Sequence, residues 1–305
     1  MIRKKRFQLT PLNNWLVSVP LPVGDPQYSL RLWREDRSAL AAPFKDEVLA
    51  YFDEAFEDAR KCLREGFEDD LCSFADPAVD PAANFPGLLH RVTQQGYLGE
   101  ALGALAVEHW GAGGHNDWQV PAMLFRFHSA ELQHLASIND RIARGVPFNQ
   151  DATPEMRPGR TGDDALAFRM DDEGVISDVL VIEAKCLGAN NNGTIAEAHE
   201  KLSTPLLKNS GFRELINILD KYDTGEAQKW RAALLELWRS GHMTVSRYDC
   251  VSYGVGAQPK RPKTRESWMD PLKSHSSYTL KYPLVGLEYQ FLDLAGVVDS
   301  IFRGK

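Results

Sequence analysis

The sequence predicts a mixed α/β fold of the α+β kind, in which a few strands lie among helices. Three features carry this prediction. Apolar residues repeat at spacings of three and four in several segments, Val179 to Ile182 is a continuous apolar run, and a turn sequence at Asp171–Gly174 separates two runs of strand length. Strands interspersed with helices are typical of a sheet covered by helices. The 305 residues, 43% apolar and 25% charged, suffice for one large or two modest domains.

Residues 1–85 are expected to form an accessory N-terminal domain, and residues 86–305 a second domain that holds the functional motif. Short apolar runs alternate with Pro and Gly between Asn13 and Leu32, which indicates strands broken by turns. From Val48 to Leu63, apolar residues recur every three or four positions, which predicts a helix with one buried side. The proline-containing stretch from Asp69 to Pro86 is the expected linker.

Three further elements are predicted between the linker and the motif. A helix is expected to begin near Pro86 and to end at the glycines after Trp110, with Gly96 as a point where it can break. Met123 to Phe127 is predicted to be a short buried strand. Ser129 to Ile142 is predicted to be a helix, for which Ser129 provides the N-cap.

The remaining elements surround the motif. The strands Asp164–Met170 and Asp178–Ala184 are expected to form a hairpin through the turn between them. The same periodicities predict later elements, namely helices from about Thr194, at 211–222 and at 226–239, and strands at Ser246–Val255 and Leu284–Leu294.

Charged residues end the most apolar strand, whose sequence at residues 179–185 is Val-Leu-Val-Ile-Glu-Ala-Lys. Because side chains alternate along a strand, Glu183 and Lys185 are expected on the same face. Burial of a carboxylate and an ammonium group is costly unless the two pair with each other or serve a metal. The predicted hairpin can bring Asp164, at the start of the preceding strand, beside Glu183.

Two carboxylates beside one ammonium group suit metal-assisted hydrolysis of a phosphodiester. Oxygen ligands favour Mg²⁺, with Mn²⁺ as an alternative ion, so Asp164 and Glu183 are the expected metal ligands and the backbone carbonyl of Ala184 can add another. A metal there would acidify a bound water, and Lys185 would orient that water or stabilise the transition state. A purely structural ion pair is the alternative interpretation of the same residues.

This arrangement resembles the PD-(D/E)XK nuclease superfamily over roughly residues 86–255. The family core is a helix, three antiparallel strands, a helix and a strand, so the resemblance implies a restriction-endonuclease-like core. It also implies that Asp164 and Glu183 bind metal and that Lys185 assists the attacking water. Many members carry a glutamate on the preceding helix, and here that residue would be Glu100, as a catalytic residue and metal ligand.

One departure from the family pattern leaves the identity of the first metal ligand open. The acidic residue follows Gly162-Asp163 instead of a proline, so Asp163 is the alternative to Asp164. We favour Asp164 because Leu166 and Phe168 continue its strand in register.

A narrower resemblance is to the nuclease subunit of Hachiman-like antiphage defence systems, which works with a helicase. It depends on the glycine-preceded acidic residue, the motif strand and the Asn- and Gly-rich turn that follows it. It implies a DNA endonuclease that acts in defence with a helicase or ATPase partner. The net charge of −7 agrees with such a partner, because basic residues normally supply the affinity for phosphates.

DNA contacts are expected from the most basic segment outside the N-terminus. Cationic side chains next to an aromatic ring can contact phosphates and stack on bases. The residues concerned are Lys260, Arg261, Lys263 and Arg265, beside Trp268. A solvated loop is an equal alternative for this segment.

Side chains on the helix after the motif can also face a metal or the substrate phosphates. The candidates there are Glu197, His199 and Lys201. An amphipathic surface explains these residues as well, and is the more common reason for such a pattern.

Other classes of function lack their motifs. The four cysteines show no C-x-x-C spacing, and His109, His115, His128 and His134 fit no zinc pattern. There is no P-loop and no nucleophile elbow. Because no apolar run has the length of a signal peptide or a bilayer span, we expect a cytoplasmic protein without a membrane partner.

Two alternatives to a nuclease stay open. The same scaffold can serve as a non-catalytic module that binds nucleic acid or protein, with the charged cluster as a structural pair. Asp164 and Glu183 can instead be the acid and base of another hydrolase, such as a glycosidase. Lys185 argues against the glycosidase, because a nearby cation lowers the pKa that a general acid needs.

Overall fold

The computed structural model describes residues 9–36, 44–65, 89–124, 163–205, 209–241, 245–260 and 264–303, together with residues 80, 82, 83, 85–87, 141, 144–146 and 207. This part of the chain contains six strands and seven helices, so the predicted mixed α/β class is confirmed. The strands are β1 (Leu16–Val19), β2 (Tyr28–Glu35), β3 (Ala165–Met170), β4 (Ile176–Leu187), β5 (Ser246–Val255) and β6 (Leu284–Gln290). The helices are α1 (Leu9–Trp15), α2 (Phe44–Glu65), α3 (Arg91–Trp110), α4 (Asn192–Leu202), α5 (Asn209–Asp220), α6 (Gly225–Arg239) and α7 (Leu294–Arg303).

The six strands form one mixed sheet in the order β1-β2-β6-β5-β4-β3. The outer pairs β1–β2 and β3–β4 are antiparallel, whereas β2–β6, β6–β5 and β5–β4 are parallel. Parallel neighbours require crossover connections, and α4, α5 and α6 lie in the connection from β4 to β5. Every residue of β6 is buried, as expected for a central strand covered on both faces.

Two apolar clusters cover the two faces of the sheet. Along β4, Leu180 and Ile182 belong to the cluster that also contains residues of α1, α2, α3 and α7. Val179 and Val181 belong to the second cluster, with residues of α4, α5 and α6. Strand alternation therefore directs odd-numbered residues of β4 towards α4, and this fixes the face on which the motif side chains lie.

The N-terminal region contributes to this sheet and to its core. Strand β2 pairs with β6 from Tyr28 opposite Leu284 to Arg34 opposite Gln290. The Trp33 ring also stacks on Tyr289 of β6, with 5.4 Å between ring centroids. Hydrogen bonds and packing contacts thus cross the boundary predicted at residue 85.

The predicted hairpin is confirmed, with β3 and β4 as its strands. Gly174 has a φ of 87°, a conformation that favours glycine, and its N–H donates to the Asp171 carbonyl at 3.1 Å. The Asp171 carboxylate accepts a 2.8 Å hydrogen bond from the Val175 N–H and closes the turn. The register pairs Ala165 with Ile182, which places the residue before β3 opposite Glu183.

The strand predicted at Met123–Phe127 is wrong for Met123 and Leu124, which belong to no strand; residues 125–127 lie outside the described part. Instead, Gln119 forms an isolated antiparallel bridge with Phe168 through two hydrogen bonds of 2.9 Å. The next hydrogen-bonded pair would need an N–H from Pro121, which has none, so the ladder cannot continue. Of the helix predicted at Ser129–Ile142, only Arg141 is described, and it is helical.

The last strand is shorter than predicted because a helix that the sequence analysis missed begins within it. Strand β6 ends at Gln290 and α7 starts at Leu294. The Asp293 carboxylate caps α7 by accepting a 2.9 Å hydrogen bond from the Gly296 N–H. None of the described helices is both long enough and apolar enough to cross a bilayer.

Helix α3 approaches β4 and β5 closely because glycines face the sheet. It begins at Arg91, later than predicted, and continues through Gly96 without a break. A methyl group at Gly99 would lie 3.0 Å from the Cβ of Cys186. A methyl group at Gly103 would lie 3.1 Å from atoms of both Ile182 and Ser252. These glycines therefore set the distance between the helix and the motif strand.

Replacement of Gly103 by valine should lower the free energy of unfolding by about 1–3 kcal/mol, because the added methyl groups overpack the contact with Ile182 and Ser252. Gly96→Val is the matched control, since no heavy atom lies within 4 Å of a methyl group placed there. Urea denaturation of both variants measures the difference. Equal stability of the two variants would contradict the close approach of α3.

Candidate active site

The motif side chains project from β4 towards α4. Glu183 and Lys185 are on the same face as Val181, as the alternation predicts. Glu183 is only 1% exposed. A carboxylate this deeply buried needs cations or several hydrogen-bond donors nearby to remain charged.

Asp164 lies beside Glu183, at the start of the hairpin. Its N–H donates to the Ile182 carbonyl at 3.2 Å, which continues the pairing of β3 with β4 by one residue. Its carboxylate accepts a 2.8 Å hydrogen bond from the Ala184 N–H. Because the N–H and C=O of one strand residue point to the same edge, the Ala184 carbonyl also faces the side on which Asp164 lies.

A second lysine, from α4, completes the cluster. The Lys201 ammonium nitrogen lies 2.6 Å from Glu183 Oε2 and 3.5 Å from Asp164 Oδ1. The Lys185 ammonium nitrogen lies 3.0 Å from Glu183 Oε1 and 3.7 Å from Glu197 Oε1. Glu183 is thus held between two cations, and Lys201 bridges the two carboxylates.

The local sequence explains why α4 can present Lys201 at this point. Asn191 caps the helix, with its side chain accepting a 2.9 Å hydrogen bond from the Gly193 N–H. Ile195, Ala198 and Leu202 form the buried stripe of the helix. Lys201 borders this stripe and lies one turn after Glu197, so both side chains can reach the end of β4. From sequence alone, Lys201 is one of three candidates on this helix, and the i, i+4 spacing of Glu197 and Lys201 beside the stripe is the signal that favours it.

One oxygen of Glu183 has no aligned hydrogen-bond donor. Lys185 lies 3.0 Å from Oε1, but the angles of this contact are not those of a hydrogen bond. The contact is therefore an ion pair without hydrogen-bond alignment. This leaves a buried anionic oxygen able to accept a further donor or a cation.

The surroundings of Glu183 raise the pKa of its carboxyl group towards neutral pH. Burial, followed by repulsion from Asp164, raises the pKa of Glu183 to about 7, although Lys201 and Lys185 act in the opposite direction. Burial lowers the pKa of Lys185, but attraction to Glu183 outweighs it and the pKa is raised. Burial also lowers the pKa of Lys201, but attraction to Asp164 and Glu183 outweighs it, and the pKa is raised. Both lysines therefore stay protonated while Glu183 changes charge.

Glu100 is placed differently from the motif residues. It is 5% exposed and lies on α3, which packs on the face of the sheet opposite to α4. Its neighbour Gly99 contacts the main chain of Lys185 and Cys186. No three His, Cys, Asp or Glu side chains among the described residues converge as a metal-binding group. The expected role of Glu100 as a catalytic residue and metal ligand therefore stays a prediction.

Asp163, the alternative first ligand, also lies close to Lys201 of the cluster. It is 7% exposed and lines a small pocket with Lys201 and Arg247. Arg247 itself is paired with Asp249 at 2.8 Å. Asp164 is the residue whose carboxylate contacts both the motif strand and Lys201.

The predicted DNA-contacting segment is described in part. Arg261 and Lys263 lie outside the described residues, and Lys260 is exposed. Arg265 donates a 2.7 Å hydrogen bond to the Ser267 carbonyl and a second one to the Trp268 carbonyl, and its guanidinium lies 5.6 Å from the Trp268 ring centroid. The main chain and the indole thus hold Arg265 in place, some distance along the chain from the motif.

Comparison with known proteins adds no family assignment. No family model matches the sequence, and no curated protein is significantly similar to it. Assignment of the Glu183 cluster to an activity therefore depends on its own chemistry.

In a Lys201→Met variant, the pKa of Glu183 should rise above its wild-type value of about 7, because one of the cations that favours the ionised carboxylate is lost. Methionine keeps much of the side-chain length without the charge. NMR titration of the ¹³C-labelled glutamate carboxyl groups measures the change. Lys281→Met, at an exposed position, is the control. An unchanged or lower pKa in Lys201→Met would contradict the contact with Glu183.

Proposed function

We propose that this protein is a metal-dependent nuclease of the PD-(D/E)XK type, which hydrolyses phosphodiester bonds. The supporting observation is the convergence of Asp164 and the buried Glu183 on one cation position, with Lys185 at its side. Two carboxylates, one main-chain carbonyl and a lysine form the set of groups that metal-assisted phosphodiester hydrolysis uses.

The order of elements supports a restriction-endonuclease-like core. Helix α3 is followed by the β3–β4 hairpin, by α4 and by β5, which lies parallel to β4. The bridge between Gln119 and Phe168 stands where a third antiparallel strand would pair with β3. In the proposed core, the antiparallel strand that would precede β3 is therefore represented only by this bridge.

The groups present fit a divalent cation with oxygen ligands. Asp164, Glu183 and the Ala184 carbonyl would hold Mg²⁺ or Mn²⁺, since hard cations prefer such oxygens. The ion would lower the pKa of a coordinated water and offset charge on the phosphate oxygens. The ammonium group of Lys201 now lies between the carboxylates, and a bound cation would compete with it for Glu183.

Lys185 is suited to an electrostatic role. Its raised pKa keeps the ammonium protonated at neutral pH, so it cannot take a proton from water. It can donate hydrogen bonds to an attacking water or to a phosphate oxygen, where negative charge builds up in the transition state. Glu183 holds it in position through the 3.0 Å contact.

DNA is the proposed substrate, and a helicase or ATPase is the proposed partner. The acidic balance of the chain, with a net charge of −7, gives it little general attraction for a polyanion. A partner that holds the DNA would supply this affinity. An action in antiphage defence follows only from the resemblance to Hachiman-like nucleases and is part of the same proposal.

A non-catalytic binding module is a second candidate, and the structure contains one observation in its favour. Lys201 is already a counter-ion to both carboxylates, so the cluster can exist as an ion network without a metal. Under this alternative, Glu183 contributes to the stability of the packing of α4 on β4, and metal ions have no effect on the protein.

Glu183→Gln and Lys185→Ala should each reduce Mg²⁺-dependent DNA cleavage by at least about a hundredfold, because they remove a metal ligand and a transition-state cation. The assay compares circular and linear DNA in Mg²⁺ and in EDTA. Cutting of the circular form identifies an endonuclease. Glu200→Gln makes the same chemical change at an exposed position of α4 and should cut normally.

The assay should be run on variants whose circular dichroism and melting temperature match the wild type, so that unfolding is not mistaken for loss of catalysis. Full cleavage by both Glu183→Gln and Lys185→Ala would contradict the assignment of the site. Absence of cleavage by the wild-type protein, alone and with a helicase partner, would favour the binding module.

Cleavage at limiting Mg²⁺ should rise with pH through about 7. Below its raised pKa of about 7, Glu183 is protonated and cannot bind a cation; above it, the carboxylate is ionised. Saturating Mg²⁺ favours the ionised form and should move the midpoint to lower pH. Rates measured across the neutral range at two Mg²⁺ concentrations check this. A rate that falls with rising pH would contradict the role of Glu183.

A further inference from the structure

A second cavity lies on the other side of α4. Its volume is about 230 Å³, and it is lined by residues of α4, by Tyr28 of β2 and by residues between Arg265 and His275. Asn192, Ile195 and His199 line it, whereas Glu197 and Lys201 on the same helix face the Glu183 cluster. Ile195 and His199 each lie two positions from Glu197, and a step of two residues places side chains on nearly opposite sides of a helix.

His199 presents an unpartnered acceptor within this cavity. The residue is 1% exposed, and its Nδ1 lies 2.8 Å from the Ile195 carbonyl, to which it can only donate. The tautomer is therefore fixed, and Nε2 is an acceptor with no partner. Burial, with a smaller contribution from His275, lowers the pKa of His199 to about 4, so the ring is neutral at physiological pH. A ligand N–H is the group that would satisfy Nε2.

The hydroxyl of Tyr28 is a second free polar group in the same cavity. Tyr28 is 4% exposed, and its side chain forms no hydrogen bond within the described part of the chain. A hydroxyl can donate to a ring nitrogen or to a carbonyl oxygen. The cavity thus offers an acceptor and a donor, and a nucleobase edge carries groups complementary to both.

The walls of the cavity suit a flat ring and one anion. The Trp268 indole is fixed by a 2.9 Å hydrogen bond from Nε1 to the Ala257 carbonyl, and Ile195 and Met269 add apolar surface. Arg265 donates to main-chain carbonyls and forms no ion pair with the described residues, although it interacts at longer range with the buried Glu288 carboxylate. Asp270, at the exposed rim, accepts a hydrogen bond from the Leu272 N–H instead.

We propose that this cavity binds one nucleotide, with the base edge on His199 and Tyr28, the ring beside Trp268 and the phosphate near Arg265. Its volume is below the roughly 300–1,000 Å³ of pockets for drug-sized ligands, which favours a single ring system. The nucleotide can be free or an unpaired residue of a nucleic-acid strand. The proposal goes beyond the nuclease site and does not require cleavage.

Binding is tested by calorimetry on the full chain in EDTA, so that metal and cleavage play no part. The ligands are the four deoxynucleoside monophosphates, a short single-stranded oligonucleotide, the same oligonucleotide made abasic, and inorganic phosphate. Tyr28→Phe should weaken the binding by roughly three- to tenfold, the effect of one lost hydrogen bond. Trp268→Leu should weaken it further through loss of stacking.

The matched control is Tyr289→Phe, which removes a hydroxyl from β6 that contacts the Leu102 carbonyl on the α3 side of the sheet. It should bind nucleotide like the wild type. Tyr28→Phe should also melt at the wild-type temperature or above it, because its hydroxyl has no partner to lose. A change in affinity without a change in stability separates a ligand contact from a structural role.

The ligands distinguish the two sources of nucleotide. Mononucleotides that bind as tightly as the oligonucleotide indicate a free nucleotide, whereas a much tighter oligonucleotide that loses affinity when abasic indicates an unpaired residue of a strand. The proposal is overturned if neither binds, if abasic DNA or inorganic phosphate binds equally well, or if Tyr28→Phe has wild-type affinity. Since EDTA is present throughout, nucleotide binding can hold even if the protein proves not to cut DNA.

Discussion

Glu183 carries a buried carboxylate between β4 and α4, and the neighbouring Asp164 adds a second negative charge. Two acidic groups in such a place repel each other unless cations lie between them. Lys201 and Lys185 supply those cations in the chain itself. This cluster depends on the positions of β4 and α4. The hairpin register and the glycine contacts of α3 fix β4, and the N-terminal cap fixes the start of α4.

Helix α4 separates two chemically different sites. One side brings Lys201 to the carboxylates and makes a charged cluster suited to phosphate chemistry. The other side brings the neutral His199 ring to a cavity with aromatic and apolar walls, lined also by Arg265 and Asp270. A substrate strand that reached both sides would meet a reactive centre and a base-sized pocket across one helix.

Local sequence patterns predict much of the fold. The hairpin, the three helices after the motif and the bounds of β5 follow from periodicity and turn residues, which act over a few positions. Local patterns do not predict the order of strands in the sheet, because the pairing of β2 with β6 joins residues far apart in sequence. Spacing alone places Lys201 beside the buried stripe of α4, but its contact with Asp164 and Glu183 depends on how α4 crosses β4. Pro121, which lacks an N–H, gives a local reason why the bridge at Gln119 is not extended into a strand.

The most direct measurement of the central claim is a Mn²⁺ titration of the full chain by electron paramagnetic resonance. If the carboxylates form a cation site in which Lys201 is the internal competitor, the wild-type protein should bind one Mn²⁺, Lys201→Met should bind it more tightly, and Glu183→Gln should lose it. The account would be contradicted if neither the wild type nor Lys201→Met bound Mn²⁺, or if Glu183→Gln bound it as tightly as the wild type.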